Sequence, residues 1–129
     1  MGHSNRIIPT PELGDPEVFG YSNCVKVGNL VFVAGQCSID ENYNSSGDFS
    51  TQSREVLRRV IHAVEAAGGS KGDIVTMTVF VLDVRKGREF TQIRREMFGH
   101  DFPASTLIGV SQLMPPEAVV EVQAIAVLP

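Results

Sequence analysis

The chain has 129 residues, a formal net charge of −4 and a hydrophobic content of 43%, a composition typical of a single globular domain that can bury its own core. Lys and Arg are outnumbered by Asp and Glu, 11 to 15, so the bulk charge gives no basic surface for nucleic acid. No apolar run approaches the ~20 residues that span a bilayer, and residues 1–11 lack the apolar stretch of a secretory signal. We therefore expect one domain over residues 1–129 in the cytoplasm, without a membrane as partner, and the charge balance disfavours a nucleic acid as partner.

The predicted elements begin with an irregular arm over residues 1–18, where proline and glycine are frequent. A hairpin follows, because Gly28-Asn29 separates two β-branched runs and predicts a two-residue turn. This turn pairs Cys24 with Val33 and leaves Cys37 beyond the end of the ladder, too far from Cys24 for a disulfide. Both cysteines are therefore expected to be buried or half-buried free thiols.

Residues 49–69 predict an amphipathic helix, because apolar side chains recur at helical spacing. Its apolar face consists of Val56, Leu57, Val60, Ile61, Val64 and Ala67. Glu55 and Arg59 are spaced i,i+4 in the order that favours an ion pair. The remaining predicted elements are a central strand over 74–84, a helix over about 87–100, and strands over 105–113 and 118–128.

This order, β-β-α-β-α-β-β, predicts an α+β sandwich with two helices on one face of a mixed sheet. Two helices cannot cover the second face, and the strands are apolar on both sides, so we expect association through the sheets. No metal site is predicted, because His3, His62 and His100 are dozens of residues apart and no Cys or His pair has ligand spacing.

Four short segments carry a more specific signal. They are Gly20-Tyr21-Ser22, Val33-Ala34-Gly35-Gln36, residues 67–70 running into 79–81, and Phe102-Pro103-Ala104 followed by residues 120–126. Together they resemble the RidA family, the reactive-intermediate deaminases or YjgF-type proteins, also called the endoribonuclease L-PSP family. The resemblance spans about residues 19–127. It implies a chorismate-mutase-like fold of the bacillus type with a mixed six-stranded sheet, and a homotrimer with small-molecule clefts between neighbouring subunits.

The resemblance also assigns functional positions. Deaminating relatives bind the carboxylate of a 2-imino acid with the arginine of a Pro-Ala-Arg motif, whereas this chain reads Pro103-Ala104-Ser105. A serine hydroxyl cannot replace a bidentate guanidinium, so we expect weak or absent activity on simple 2-imino acids. Glu121 matches the carboxylate that orients water, and groups near Ser105 would hold the substrate. No cofactor is implied.

Four further positions match residues that contact the ligand: Tyr21, Gly35, Arg94 and Leu107. From the residues alone, Tyr21 is equally a buried aromatic of the arm, and Gly35 is equally a bulge or strand-end glycine. Glu121 is otherwise an exposed strand residue. Leu107 stands where many relatives carry cysteine, so we expect no thiol in the cleft.

Arg94 stands where deaminating relatives usually carry asparagine. On a helical wheel it lies about 40° from Phe90, inside the apolar arc of the second helix. One interpretation is a packed stem with a head group that reaches solvent. The other is a guanidinium that borders the cleft or pairs with Glu121 at the interface.

The sequence leaves three functions open. The first is cofactor-independent hydrolysis of a small imine or enamine in the intersubunit cleft. The second is a trimer that binds a ligand or regulates without turnover. The third is endoribonuclease or translation-inhibitor activity, against which the acidic charge balance weighs.

Overall fold

The computed structural model describes residues 6–129, so the first five residues of the predicted arm, with His3, lie outside it. The strands are β1 Cys24–Val27, β2 Leu30–Gln36, β3 Ile74–Val81, β4 Ala104–Gly109 and β5 Val120–Val127, and the helices are α1 Phe49–Ala66 and α2 Gly87–Phe98. The strands form one mixed sheet in the order β1-β2-β5-β3-β4. Only the β3–β4 pair is parallel in the described chain. The predicted α+β class and element order are confirmed.

The hairpin forms in the predicted register, with Cys24 opposite Val33. The turn depends on Gly28, whose φ of 61° lies in the left-handed region that glycine adopts without steric cost. Both cysteines are free and buried, as expected.

The sheet has five strands over residues 6–129 rather than the expected six. In the sixth place the arm runs antiparallel beside β1, with an isolated bridge between Ile7 and Val25 and hydrogen bonds on either side of it. Pro9 and Pro11 follow directly, and proline has no N–H to extend a ladder. The chain instead enters two short 3-10 helices, Pro11–Leu13 and Pro16–Phe19.

Helix α1 begins at the cap of Asp48, whose carboxylate accepts a hydrogen bond from the Thr51 N–H at 2.8 Å. Its predicted apolar face is buried in the core, apart from a half-buried Ile61. The predicted pair between Glu55 and Arg59 does not form. Glu55 instead accepts two hydrogen bonds from Arg58, of 2.7 and 2.8 Å, and Arg59 turns into the interior.

Helix α1 packs against β2, β5 and α2 on one face of the sheet. Along β5 the side chains alternate, so that Val120, Val122 and Ala124 are buried beneath the helices while Glu121 and Gln123 face the other way. On that second face Phe32 and Ile108 remain 41% and 42% exposed. Within a single chain, therefore, an apolar sheet face is left uncovered, as the sequence predicts.

The later elements are shorter than predicted. β3 ends at Val81, and β4 ends at Gly109 rather than near residue 113. The segment that follows contains Pro115 and Pro116, which cannot donate to a ladder, and it forms turns before β5. No helix among residues 6–129 has the length and apolar character needed to cross a bilayer. In the same residues no three His, Cys, Asp or Glu side chains come together as metal ligands.

Candidate active site

A cavity of about 590 Å³ opens where the arm, the end of β2 and the start of β5 meet. Three of the predicted site residues line it: Tyr21, Gly35 and Glu121. They come together because the bulged end of β2 lies beside the start of β5 and the arm folds across both. Two residues that the sequence did not single out for the site, Cys37 and Arg59, also line the cavity.

Gly35 lies where the register between β2 and β5 shifts, between Val33 and Gln36. It is therefore a bulge glycine and a site glycine at once. A Cβ on Gly35 would lie 2.9 Å from Cδ of Glu121 and would overlap its carboxylate. The absent side chain lets the carboxylate rest against the bulge and face the cavity.

The thiol of Cys37 donates a hydrogen bond to Oε1 of Glu121 over 3.2 Å. Burial and the negative charge of Glu121 raise the pKa of the Cys37 thiol well above its ordinary value. The thiol therefore stays protonated and holds one carboxylate oxygen in place. The expectation that the site has no thiol is wrong for this cavity, because Cys37 supplies one from a position that no motif marked.

Tyr21 is 40% exposed, so it is not the buried aromatic that the sequence left as an alternative. Its hydroxyl lies near that of Tyr43, and burial raises the pKa of both phenols. Tyr43 in turn packs against Phe19, with ring centroids 4.8 Å apart. The rim of the cavity is thus a small aromatic group with two protonated hydroxyls.

The floor of the cavity is a buried polar network. Nε of Arg59 donates to Gln36 Oε1 over 3.1 Å, and Nη2 donates to the Leu13 carbonyl over 2.8 Å. Gln36 donates onward to Asn23 Oδ1 over 3.1 Å. Burial lowers the pKa of Arg59, yet a guanidinium keeps its proton in proteins. A helical wheel places Arg59 about 60° from Val56, at the border of the buried side of α1. That position could have indicated a buried arginine, but the i,i+4 spacing to Glu55 favoured a surface ion pair.

The other three predicted site residues form a second group, at the edge strand β4 and helix α2. Nη1 of Arg94 donates a hydrogen bond to Ser105 Oγ. The Arg94 guanidinium also lies over the Phe90 ring, 5.3 Å from its centroid, and burial lowers its pKa. Leu107 packs against the core near Gly87. Arg94 is thus half-buried and engaged with Ser105, and within one chain it forms no ion pair with Glu121.

The two groups lie on opposite faces of the sheet. Glu121 is in register with Phe80 and, across β3, with Ile108, all on the uncovered face. Ser105 is in register with Met77, whose side chain is buried beneath the helices. A single chain therefore does not unite Glu121 with Ser105.

The fold and cavity define a class: small α+β domains of chorismate-mutase-like architecture that carry a carboxylate at a glycine bulge. The family model described as "Endoribonuclease L-PSP" matches residues 15–128, so the chain belongs to this family, that of the RidA/YjgF-type proteins.

Individual relatives agree over nearly the whole chain. The chain is 30% identical to a 2-iminobutanoate/2-iminopropanoate deaminase from Dermatophagoides farinae, over 95% of this chain and 96% of the relative. It is 31% identical to the 3-aminoacrylate deaminase RutC from Acinetobacter baylyi, over 90% and 93%. The crystal structure of the YjgF gene product from E. coli superposes with a TM-score of 0.84 at 32% identity, over 94% and 97%.

Proposed function

We propose that this protein hydrolyses a small imine or enamine in clefts between neighbouring subunits of a homotrimer. The observation that carries the proposal is the Glu121 carboxylate, which faces a cavity while one of its oxygens is held by Cys37. Relatives that are 30% and 31% identical bear the names of an iminobutanoate/iminopropanoate deaminase and an aminoacrylate deaminase.

The intersubunit location is supported by the division of the predicted site within one chain. Tyr21, Gly35 and Glu121 line one cavity, whereas Arg94 and Ser105 lie at the edge strand on the other side of the sheet. A neighbouring subunit that packs against the uncovered face can bring its own edge strand to this cavity. Burial of the exposed apolar side chains of that face would stabilise the assembly.

The chemistry needs one base and one water molecule. Glu121 accepts a proton from water as the oxygen attacks the carbon of the C=N bond, which forms a carbinolamine. The same proton then passes to nitrogen, Glu121 relays the hydroxyl proton of the carbinolamine to nitrogen as well, and the C–N bond breaks to give ammonia and a carbonyl compound. An enamine enters the sequence after protonation at its β-carbon. Cys37 occupies Oε1, whereas Oε2, which rests against Gly35, has no hydrogen-bond donor among residues 6–129, so we assign the proton transfer to Oε2.

Arg94 and Ser105 would form the facing wall of the cleft. Because Arg94 donates to Ser105 Oγ, the hydroxyl hydrogen of Ser105 remains free to donate to a ligand oxygen or nitrogen. A hydroxyl on β4 does not reproduce the bidentate guanidinium of a Pro-Ala-Arg motif. The preferred substrate is therefore not a simple 2-imino acid.

The proposal is tested by ammonia release from a panel of small imines and enamines, with and without a carboxylate, above the uncatalysed rate. We expect turnover of at least one member and a fall of ~100-fold or more in E121Q, since a positioned general base is worth that much. E65Q, which makes the same change at an exposed carboxylate of α1, is the control and should keep the full rate. If E121Q turns over the panel as fast as the unmodified protein, Glu121 is not the base. Binding without turnover by the unmodified protein would favour a ligand-binding trimer.

A further inference from the structure

Arg59 is an unneutralised charge at the floor of the cavity. The residue is 5% exposed, and no carboxylate in the described part of the chain forms an ion pair with it. Glu55, one turn earlier on α1, is engaged with Arg58 instead. An arginine buried without a counter-ion is costly, and its two neutral acceptors, Gln36 and the Leu13 carbonyl, leave the positive charge in place.

The guanidinium still has donors to offer. Its hydrogen bonds to residues 6–129 use Nε and Nη2, and no described acceptor takes the hydrogens of Nη1. Among residues 6–129, the side-chain nitrogens and oxygens that are both fully buried and without a hydrogen-bond partner are the hydroxyls of Ser45 and Ser53. Nη1 of Arg59 is not one of them, so it is accessible from outside the packed interior. Arg59 and both residues that accept its hydrogen bonds, Gln36 and Leu13, line the cavity, so we take the cavity to be the space open to Nη1.

The rest of the lining describes what this charge would bind. Apolar side chains of Val18, Phe19, Ile39 and Met114 surround the cavity, and the Tyr21 hydroxyl lies at its rim. Besides Glu121, three carboxylates line it, and these side chains, Asp15, Asp40 and Glu41, are exposed to solvent, which screens their charge. An anion with an apolar body fits such a space, and a planar guanidinium matches a carboxylate in geometry. We infer that Arg59 binds the carboxylate of a small organic acid in this cavity, on the same subunit as Glu121. As a statement about the substrate this rests on the proposed function, whereas the binding itself needs no turnover.

A carboxylate bound by Arg59 would lie in a different place from one bound by an arginine at position 105. Arg59 belongs to α1, beneath the cavity that Glu121 lines, while Ser105 lies on the edge strand of the sheet. The carboxylate would enter from the side of the arm, and the ligand would be held in a different direction from a 2-imino acid in an arginine-bearing relative.

The test compares butanoate with butanamide, which have the same shape and differ in charge. Dissociation constants are measured at pH 7 from ligand-induced shifts of backbone amide NMR resonances. We expect the unmodified protein to bind butanoate ~10-fold or more tightly than butanamide, the range of a charge-assisted hydrogen bond. R59M should lose this preference, and R59K, which keeps the charge, should retain part of it.

Two matched variants complete the test. R58M removes the same charge at the adjacent, exposed position and should retain the preference. R94M removes the charge on the facing wall. If R94M loses the preference while R59M keeps it, or if the unmodified protein shows none, the inference is overturned.

If R59M fails to fold, a measurement on the unmodified protein tests the inference instead. In protein labelled with ¹⁵N at arginine, butanoate and not butanamide should shift the Arg59 Nε resonance, which is assigned by its loss in R59K. An unmoved resonance would contradict the inference. A lack of hydrolysis would remove the proposed function and leave this binding result intact, whereas hydrolysis without a carboxylate preference would overturn only the role of Arg59.

Discussion

Glu121 and Ser105 lie on opposite faces of one sheet. Glu121 is in register with Phe80 on the uncovered face, and Ser105 is in register with Met77 beneath the helices. Because side chains alternate along a strand, no rotamer change brings the two together within a chain. A site that uses both residues requires two subunits.

The mass in solution tests the assembly. The uncovered face exposes apolar side chains that association would bury, and the proposed assembly is a trimer. We therefore expect light scattering or sedimentation at micromolar concentration to give three times the subunit mass of 14.0 kDa. F32E places a charge on that face and should dissociate the assembly. A66E adds the same charge at an exposed position at the end of α1 and should not. A stable monomer of the unmodified protein would refute the trimer and its clefts.

Ser105→Arg tests the hypothesis that the serine of Pro103-Ala104-Ser105 weakens activity on simple 2-imino acids. We expect the unmodified protein to be slow on 2-iminopropanoate and S105R to be ~10-fold or more faster, because a guanidinium at this position can hold the carboxylate bidentately. The rate is followed as loss of the imine above its spontaneous hydrolysis. Q92R, an added arginine on the exposed side of α2, is the control. The hypothesis is wrong if the unmodified protein hydrolyses 2-iminopropanoate as fast as arginine-bearing relatives do.

Gly35→Ala tests the contact that brings Glu121 to the cavity. The new methyl group would overlap the carboxylate, so Glu121 must move and hydrolysis should fall ~10-fold or more, as positioning arguments require. Gly87→Ala is the control, since its Cβ would meet Leu107 at an ordinary 3.7 Å, and it should keep the rate. An active G35A would show that Glu121 acts from another position.

The loss of stability at alkaline pH should depend on Cys37. Its pKa is raised in the folded protein by burial and by Glu121, whereas in the unfolded chain a thiol ionises near ~8.5. Below that pH the Cys37 thiol is protonated in both the folded and the unfolded protein, so its ionisation does not affect stability. Above it the unfolded chain releases the proton first, so stability falls as pH rises.

C37S still donates to Glu121 but does not ionise in this range. We therefore expect its urea midpoint to fall less between pH 8 and pH 10 than that of the unmodified protein, with parallel behaviour between pH 6 and pH 8. Cys24, whose pKa burial raises to about 11, contributes equally to both proteins. Identical alkaline slopes would show that the Cys37 thiolate is not excluded from the folded state.

Local patterns predicted most of the fold. The hairpin register follows from Gly28-Asn29, and the buried side of α1 follows from the spacing of its apolar residues. These features depend on interactions between near neighbours in sequence, which a pattern records directly. The sixth strand was implied by resemblance alone, and Pro9 and Pro11 limit it to an isolated bridge.

The family motifs also indicated Tyr21, Gly35 and Glu121, which the fold gathers around one cavity. They did not indicate Cys37 or Arg59. The partner of Cys37 is 84 residues away, so no local spacing reveals the contact.

By itself, the sequence determined the order of elements, the amphipathic faces and the residue types available for chemistry, because each depends on local backbone preference and side-chain periodicity. Only the tertiary structure decided which way Arg59 points. Arg58 and Arg59 both lie within reach of Glu55 on α1, and the carboxylate pairs with Arg58. The Leu13 carbonyl and Gln36, brought to α1 by the folded arm and by β2, supply the acceptors that hold Arg59 inside. Long-range packing therefore turned a predicted surface ion pair into a buried cation beneath the cavity.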